Sequence, residues 1–165
     1  MQLHMLSKTS IENRIIALAT IIFIAIVLIL AGWREGWMDE FVTYKATDPT
    51  QSIRTLYRDH WADEAHAPTY YLFLWAWRKT TAPLSGLFAM RLLSVLVSLA
   101  LSAVATYAYG KLIRGRVAVF VVLLLTSPVL LFYAEEARSY VLSFFGGVFL
   151  GWCAPCLNGQ VAWLC

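Results

Sequence analysis

Charged residues are scarce in this 165-residue chain, and several signatures of soluble proteins are missing from it. Only 14% of the residues are charged and 60% are apolar, against about 25% and about 45–50% in soluble domains. The three cysteines all lie beyond residue 152, which excludes a disulfide framework for the rest of the chain. The formal charge is only +3 and the basic residues are scattered, which argues against a nucleic-acid partner.

The apolar residues fall into long uninterrupted runs, which is the pattern of transmembrane helices. The first run, 15–32, is uncharged, and at about 1.5 Å per residue it is just long enough for a hydrocarbon core of about 30 Å. It is too long for a signal peptide, so we predict an uncleaved signal anchor. Further spans are predicted at 87–109, 117–134 and 141–157. The expected fold class is therefore an all-α membrane protein with about four transmembrane helices.

The basic residues predict which side of the membrane each loop occupies. Lys8 and Arg14 precede the first span and the turn 111–116 is also basic, so the positive-inside rule places both segments in the cytoplasm. The segment 33–86 then becomes a long first extracytoplasmic loop. Its apolar run 68–77 would reach only about 15 Å as a helix, so we expect it to lie in the interface or to re-enter the membrane. The predicted location is multi-pass in the plasma (inner) membrane.

An interfacial helix is predicted within this outer loop. Asp48 and Pro49 have the residue types of an N-cap and a first helical position. Apolar residues then recur at helical spacing, and two arginines occupy the opposite face, which is the pattern of a helix lying on the membrane surface. The apolar positions are Ile53, Leu56, Tyr57 and Trp61.

An adjacent pair of carboxylates follows the first span by a few residues. Asp39 and Glu40 lie near the boundary between water and lipid. A carboxylate at that boundary can take a proton from an acceptor hydroxyl while a lipid-anchored donor approaches. Two adjacent acids also occur as ordinary surface residues, so the pair alone leaves both interpretations open.

A second group of charges lies between two apolar runs, on the same predicted outer face. It consists of Glu135, Glu136 and Arg138, followed by Tyr140. Charges at membrane depth are costly unless they are paired or hydrated, which favours a functional role. The alternative is a solvent-exposed turn with an internal Glu–Arg pair. Arg91, about one turn inside the second span, either extends outward to water or binds an anion such as a phosphate.

The sequence gives little reason to expect a metal or a cofactor. His60 and His66 flank two acids, but their spacing matches no common zinc signature, so surface histidines are expected. The Cys153-Ala-Pro-Cys156 segment has redox spacing, yet it follows an apolar run and we treat it as incidental. We predict no cofactor, and a divalent metal is not indicated.

Six short motifs follow one another along the segment 33–150. They are Trp37-Met-Asp39-Glu40, His66-Ala-Pro68-Thr-Tyr70-Tyr71, Ala89-Met-Arg91-Leu-Leu-Ser94, Tyr109-Gly-Lys-Leu-Ile-Arg-Gly-Arg116, Ser127-Pro128 and Glu135-Glu136-Ala-Arg138-Ser-Tyr140. In this order they resemble the GT-C glycosyltransferases, in the branch that contains protein O-mannosyltransferases and lipid A aminoarabinose transferases. The usual His-Pro-Pro of that family is His66-Ala67-Pro68 here.

The resemblance implies inverting transfer of a sugar from a polyprenyl-phosphate donor to a glycan, lipid or protein acceptor outside the cell. Asp39 would be the general base, and Glu40 would position the acceptor or the base. Such roles suit carboxylates because they can deprotonate an attacking hydroxyl. A nucleotide-sugar donor is disfavoured because no phosphate-binding glycine loop is visible.

The remaining site residues are also carried over from the resemblance. Arg138 and Arg91 would bind the donor phosphate and stabilise the charge that it gains on leaving. Either glutamate of the second charged group, Glu135 or Glu136, would orient Arg138. The expected substrate-binding residues further include His66, Tyr70 and Tyr140.

Family members are several times longer and have many more spans, so the resemblance implies that this chain is an N-terminal fragment. The alternative is a non-enzymatic membrane protein, either an inactive remnant or part of a transporter or channel. Transporters place charges in the middle of their spans. Here the charges gather at one face, which favours an enzyme of the membrane interface.

Overall fold

The computed structural model describes residues 2–62, 68–82, 84, 86–110 and 116–157, and this part of the chain is helical, without strands. A π-helical turn, Tyr57–Trp61, directly continues the third helix. The helices are α1 Gln2–Trp33, α2 Met38–Ala46, α3 Ile53–Leu56, α4 Pro68–Thr80, α5 Gly86–Gly110, α6 Val117–Leu125, α7 Pro128–Ala134 and α8 Tyr140–Leu157. The all-α class predicted from the sequence is therefore confirmed.

Two helices are long and apolar enough to cross a membrane. They are the part Ser10–Trp33 of α1, with 24 residues, and α5, with 25 residues. At about 1.5 Å per residue both exceed a hydrocarbon core of about 30 Å. They contain the predicted spans 15–32 and 87–109 and extend slightly beyond them.

The third predicted span, 117–134, is broken in the middle. The helices α6 and α7 meet at an angle of 56°, as in a broken span or a re-entrant loop. The break falls before Pro128, and Ser127 has an extended backbone with ψ of 122°, because a proline disfavours helical geometry in the residue before it. The apolar part of α8 is Tyr140–Gly151, and this stretch is too short to cross a membrane. Two or three spans are therefore present by length and composition, and the count of four stays a prediction.

The spanning helices pack around one apolar core. Helix α1 contacts α5 and α6, and α5 also contacts α8. Three small hydroxyl residues of α5 are buried within the helix packing: Ser94, Ser98 and Ser102. Small residues let helix backbones approach closely within a membrane. The apolar members of the core include Phe23, Val27, Val95, Val121, Leu130 and Phe145.

The outer loop folds into a second, smaller cluster above the spans. The indole nitrogen of Trp61 donates a hydrogen bond of 2.7 Å to the carbonyl oxygen of Ala46, and the Trp61 ring stacks on Tyr71 of α4. Leu56 and Leu74 are fully buried beside them. Helix α4 therefore packs on the π-helical turn and on α5.

The start of α3 differs from the sequence-based prediction. Asp48 accepts hydrogen bonds from the backbone and hydroxyl of Thr50 at 2.9 and 2.8 Å and so closes a turn. The N-cap of α3 is Ser52, whose hydroxyl accepts a bond from the backbone of Thr55 at 3.2 Å. Asp and Ser both favour N-cap positions, because their short side chains carry an oxygen that accepts a backbone hydrogen bond. The tight turn at Asp48 moves the start of the helix four residues further along the chain.

The membrane orientation is testable by cysteine labelling. A membrane-impermeant thiol reagent added to intact cells should label an Asp48→Cys variant, because the long loop is predicted to lie outside. An Arg114→Cys variant should stay unlabelled until the cells are opened, since the basic turn is predicted to be cytoplasmic. The unsubstituted chain reports the background from its own cysteines. Labelling of position 114 in intact cells would contradict the orientation.

Candidate functional site

A buried arginine joins the end of α1 to the beginning of α5, the two helices long enough to span a membrane. Arg91 is only 2% exposed, and all five of its N–H groups donate hydrogen bonds. Two reach the carboxylate of Glu40, at 3.0 and 2.6 Å. The others reach the carbonyl oxygens of Ala31, Arg34 and Glu35 at 2.9, 2.7 and 3.1 Å. Arg91 neither extends to water nor has an N–H group left for a phosphate, so its geometry supports a positioning role rather than the expected phosphate contact.

Glu40 is as deeply buried as Arg91 and is likewise hydrogen-bonded within the protein. Its side chain is 1% exposed, and besides Arg91 it accepts hydrogen bonds from the backbone N–H groups of Ala137 at 3.0 Å and Trp37 at 3.2 Å. Burial raises the pKa of Glu40, but the hydrogen bonds from Arg91 and from the two backbone groups outweigh it and lower the pKa overall. Glu40 therefore stays ionised and fixes α2 in place. Of its two expected roles, the geometry supports positioning the neighbouring Asp39 rather than contacting an acceptor.

This ion pair predicts an acid-sensitive fold. Because the pKa of Glu40 lies below its ordinary value of 4.5 in the folded protein, its stabilising effect is fully present above that value and disappears as the pH falls through the lowered pKa. The unfolding temperature in detergent should therefore decline as the pH drops below 4.5. A Glu40→Gln variant should start lower and decline less over the same range. Equal acid sensitivity of both proteins would contradict the assignment.

Asp39 and Arg138 meet although 98 residues separate them along the chain. Asp39, in the first turn of α2, is 64% exposed and forms an ion pair of 2.5 Å with the Nη2 of Arg138. The guanidinium of Arg138 also lies over the ring of Tyr140, 5.6 Å from its centre. The two motifs that the topology placed on one face are thus in direct contact.

The partner of Glu135 and Glu136 is an arginine that sequence reasoning overlooked. Arg34, directly after α1, donates to Glu135 and, at 3.1 Å, to Glu136. Its guanidinium lies between the rings of Trp37 and Phe132, at 4.9 and 5.0 Å from their centres. Both glutamates are thus ion-paired with Arg34, and the expected orientation of Arg138 by one of them stays a prediction. The one sequence signal for Arg34 is its position at the end of a predicted span. Arginines that anchor a helix at the membrane surface commonly occupy this position too.

Glu136 has an unusual environment for a carboxylate. Burial raises its pKa, Arg34 and Arg138 lower it, and the nearby charges of Glu40 and Glu135 raise it, so that the pKa lies above its usual value overall. It therefore takes up a proton at higher pH than an ordinary glutamate. Glu136 also lines the cavity at which Asp39 and Arg138 meet.

That cavity has a volume of about 240 Å³. It is smaller than the range of about 300–1,000 Å³ for pockets that enclose whole ligands, so it has room for the reacting end of a larger substrate. Its walls combine acids, an arginine and aromatic rings. The lining residues are Trp37, Asp39, Glu40, Phe132, Tyr133, Glu136, Arg138 and Tyr140.

One expected substrate-binding residue, Tyr70, does not line this cavity. Tyr70 is buried in α4 and lines a separate apolar cavity of about 260 Å³ between α4, α5 and α8. Its hydroxyl lies near Ser94 without a hydrogen bond of normal geometry. His66 lies outside the described residues. Within the described ranges, no three His, Cys, Asp or Glu side chains come together as a metal site.

Comparisons with models of known families, with curated proteins and with solved structures find no match to this chain.

Proposed function

We propose that this chain acts in the transfer of a sugar from a polyprenyl-phosphate donor to an acceptor hydroxyl at the outer face of the inner membrane. One observation carries the proposal. An exposed carboxylate, Asp39, and a cation suited to phosphate, Arg138, meet in one cavity beside the outer ends of α1 and α5. A lipid-linked donor can reach such a cavity from the bilayer while the acceptor arrives from water.

In the proposed reaction Asp39 takes the proton of the acceptor hydroxyl as its oxygen attacks the anomeric carbon of the sugar. The bond between that carbon and the phosphate oxygen breaks, and the phosphate leaves with the bonding electrons on the opposite side of the sugar. Arg138 stabilises the charge on the departing phosphate. Glu40 and Arg91 hold the helix that carries Asp39.

Donor binding must precede the use of Asp39 as a base. Asp39 is paired with Arg138, and this ion pair holds its carboxylate against the guanidinium instead of leaving it for an acceptor hydroxyl. The phosphodiester of the donor carries one negative charge, as a carboxylate does, and competes for the same guanidinium. The donor therefore releases the base that the reaction requires.

The proposal is tested by binding of a photoreactive polyprenyl phosphate to membranes that contain the chain. Arg138→Gln removes a charge-assisted hydrogen bond, so we expect cross-linking to fall by about 10-fold or more. Arg58→Gln is the control, because Arg58 is an exposed arginine whose partner is the neighbouring Asp59. Equal cross-linking of all three proteins would contradict the proposal.

A non-enzymatic membrane protein is the second candidate. It is favoured by the internal pairing of Arg138 with Asp39 and of Arg34 with Glu135 and Glu136. A transporter is the weaker form of this candidate, because the paired charges lie at one end of the helices rather than mid-span. The cross-linking experiment separates the two candidates, since a purely structural pair has no affinity for the phosphate.

A further inference from the structure

A second buried arginine lies on the same side of the protein, away from the cavity of Asp39. Arg78, near the end of α4, is largely buried. Its Nη1 donates to the carbonyl oxygens of Tyr44 at 2.6 Å and Thr47 at 2.8 Å, and to the Thr47 hydroxyl at 3.1 Å. One face of the guanidinium is covered by the Tyr44 ring, 4.0 Å away. This nitrogen therefore satisfies the carbonyl groups at the end of α2, as basic side chains often do.

The other N–H groups of Arg78, on Nε and Nη2, have no hydrogen-bond partner among the residues that the structure describes. Arg78 forms no ion pair within the described ranges either, and Asp48 acts on its charge only at longer range. Neither Nε nor Nη2 is among the fully buried atoms that lack a partner in the described part of the chain, so both can be reached from the cavity side. The Nε and Nη2 groups of Arg78 therefore remain available, and this edge of a guanidinium can bind two oxygen atoms of one anion at once.

Arg91 shows what this edge does when an anion is present. Its Nη1 binds carbonyl oxygens at the end of α1, just as the Nη1 of Arg78 does for α2. Its Nε and Nη2 bind the two carboxylate oxygens of Glu40. The two arginines thus share one arrangement, but only Arg91 has its anion supplied by the chain.

A cavity of about 180 Å³ lies at Arg78. Its walls come from the end of α2, the end of α4 and the start of α5, so it lies level with the outer end of a spanning helix. Gly86 is needed there, because a Cβ atom at this position would lie only 2.1 Å from the Tyr44 ring. The described lining residues are Tyr44, Pro49, Arg78, Thr81, Ala82, Leu84, Gly86 and Ala89.

We propose that this Arg78 cavity binds a phosphate group through the Nε and Nη2 of Arg78. The cavity contains none of the residues assigned to sugar transfer, so the site is independent of the proposed function. Its level at the end of α5 suits the headgroup phosphate of an outer-leaflet phospholipid, and free inorganic phosphate has the same chemistry. Occupation by either would supply the anion that Arg78 lacks and stabilise the junction of α2, α4 and α5.

The test is thermal unfolding of the whole chain in a neutral detergent. Inorganic phosphate, or micellar short-chain phosphatidylglycerol, should raise the unfolding temperature by roughly 5 °C at saturation, relative to chloride of equal ionic strength. An Arg138→Gln variant should keep this response, because the stabilising phosphate binds at Arg78 and not at the cavity of Asp39 and Arg138. A response that disappears in Arg138→Gln, or no response beyond chloride, would overturn the proposal.

A second variant places an anion inside the cavity. Ala82→Glu should raise the unfolding temperature without ligand and abolish the phosphate response, whereas Ala82→Gln should not raise it. A phosphate response in Ala82→Glu as large as in the unmodified chain would also overturn the proposal. Stabilisation by phosphatidylglycerol at concentrations at which inorganic phosphate has no effect would identify the lipid headgroup as the ligand. Stabilisation by inorganic phosphate alone would identify the free ion.

Discussion

Replacement of Arg91 by methionine is expected to destabilise the protein by about 3–5 kcal/mol, because it leaves a buried carboxylate without its partner. The carboxylate is that of Glu40, and three carbonyl groups between Ala31 and Glu35 lose their hydrogen bonds as well. The measurement is unfolding of the purified chain in mixed detergent micelles at increasing SDS, followed by helical circular dichroism.

The control for this variant is Arg58→Met, which removes an exposed arginine from an ion pair with its sequence neighbour. We expect little change there, since exposed pairs contribute little to stability. The double variant Arg91→Met with Glu40→Gln should recover part of the loss, because no buried charge remains. If Arg91→Met were as stable as Arg58→Met, the positioning role of Arg91 would be wrong.

Replacement of Asp39 by asparagine is expected to lower the rate of sugar transfer by about 10²–10⁴-fold, the usual effect of losing a positioned general base. Asparagine keeps the shape of the side chain and removes its basicity. The side chain is 64% exposed, so the variant should fold and insert normally. The measurement is transfer of labelled sugar from a polyprenyl-phosphate donor in membranes with matched expression.

Asp59→Asn is the matched control for this experiment. Asp59 is also in the outer loop and also paired with an arginine, Arg58, but it does not line the cavity. Its substitution should leave transfer nearly unchanged. Near-normal transfer by Asp39→Asn would rule out Asp39 as the base. Glu136, which lines the cavity and has a raised pKa, would then be the next carboxylate to test.

The long helices were the most predictable part of the fold, because uninterrupted apolar composition determines them almost alone. The spans 15–32 and 87–109 fall within α1 and α5. The break in 117–134 was predictable from Pro128, because a proline disfavours helical geometry in the residue before it. Apolar composition alone gives no sign of this break. The beginning of α3 was not predictable, since Asp48 and Ser52 both have residue types suited to an N-cap and only the three-dimensional turn selects Ser52.

The candidate site was predictable in its members but not in their pairing. Topology alone places Asp39 on the same face as Arg138, and the structure brings them into contact. Sequence spacing, however, cannot show that Arg91 uses every N–H group inside the protein, or that Glu135 and Glu136 face Arg34. Such pairings arise from helix packing across more than fifty residues of chain, and a local motif holds no information about them.

The most direct test of sugar transfer at the cavity of Asp39 and Arg138 is turnover in proteoliposomes that contain the purified chain. A polyprenyl-phosphate sugar is supplied in the bilayer with a mixture of envelope glycans and lipids as acceptors, and free polyprenyl phosphate is measured by mass spectrometry. We expect free polyprenyl phosphate to form only when acceptors are present. The Asp39→Asn and Arg138→Gln variants should each nearly abolish its formation. Equal amounts of it in the unmodified chain, in both variants and in empty vesicles would contradict the account.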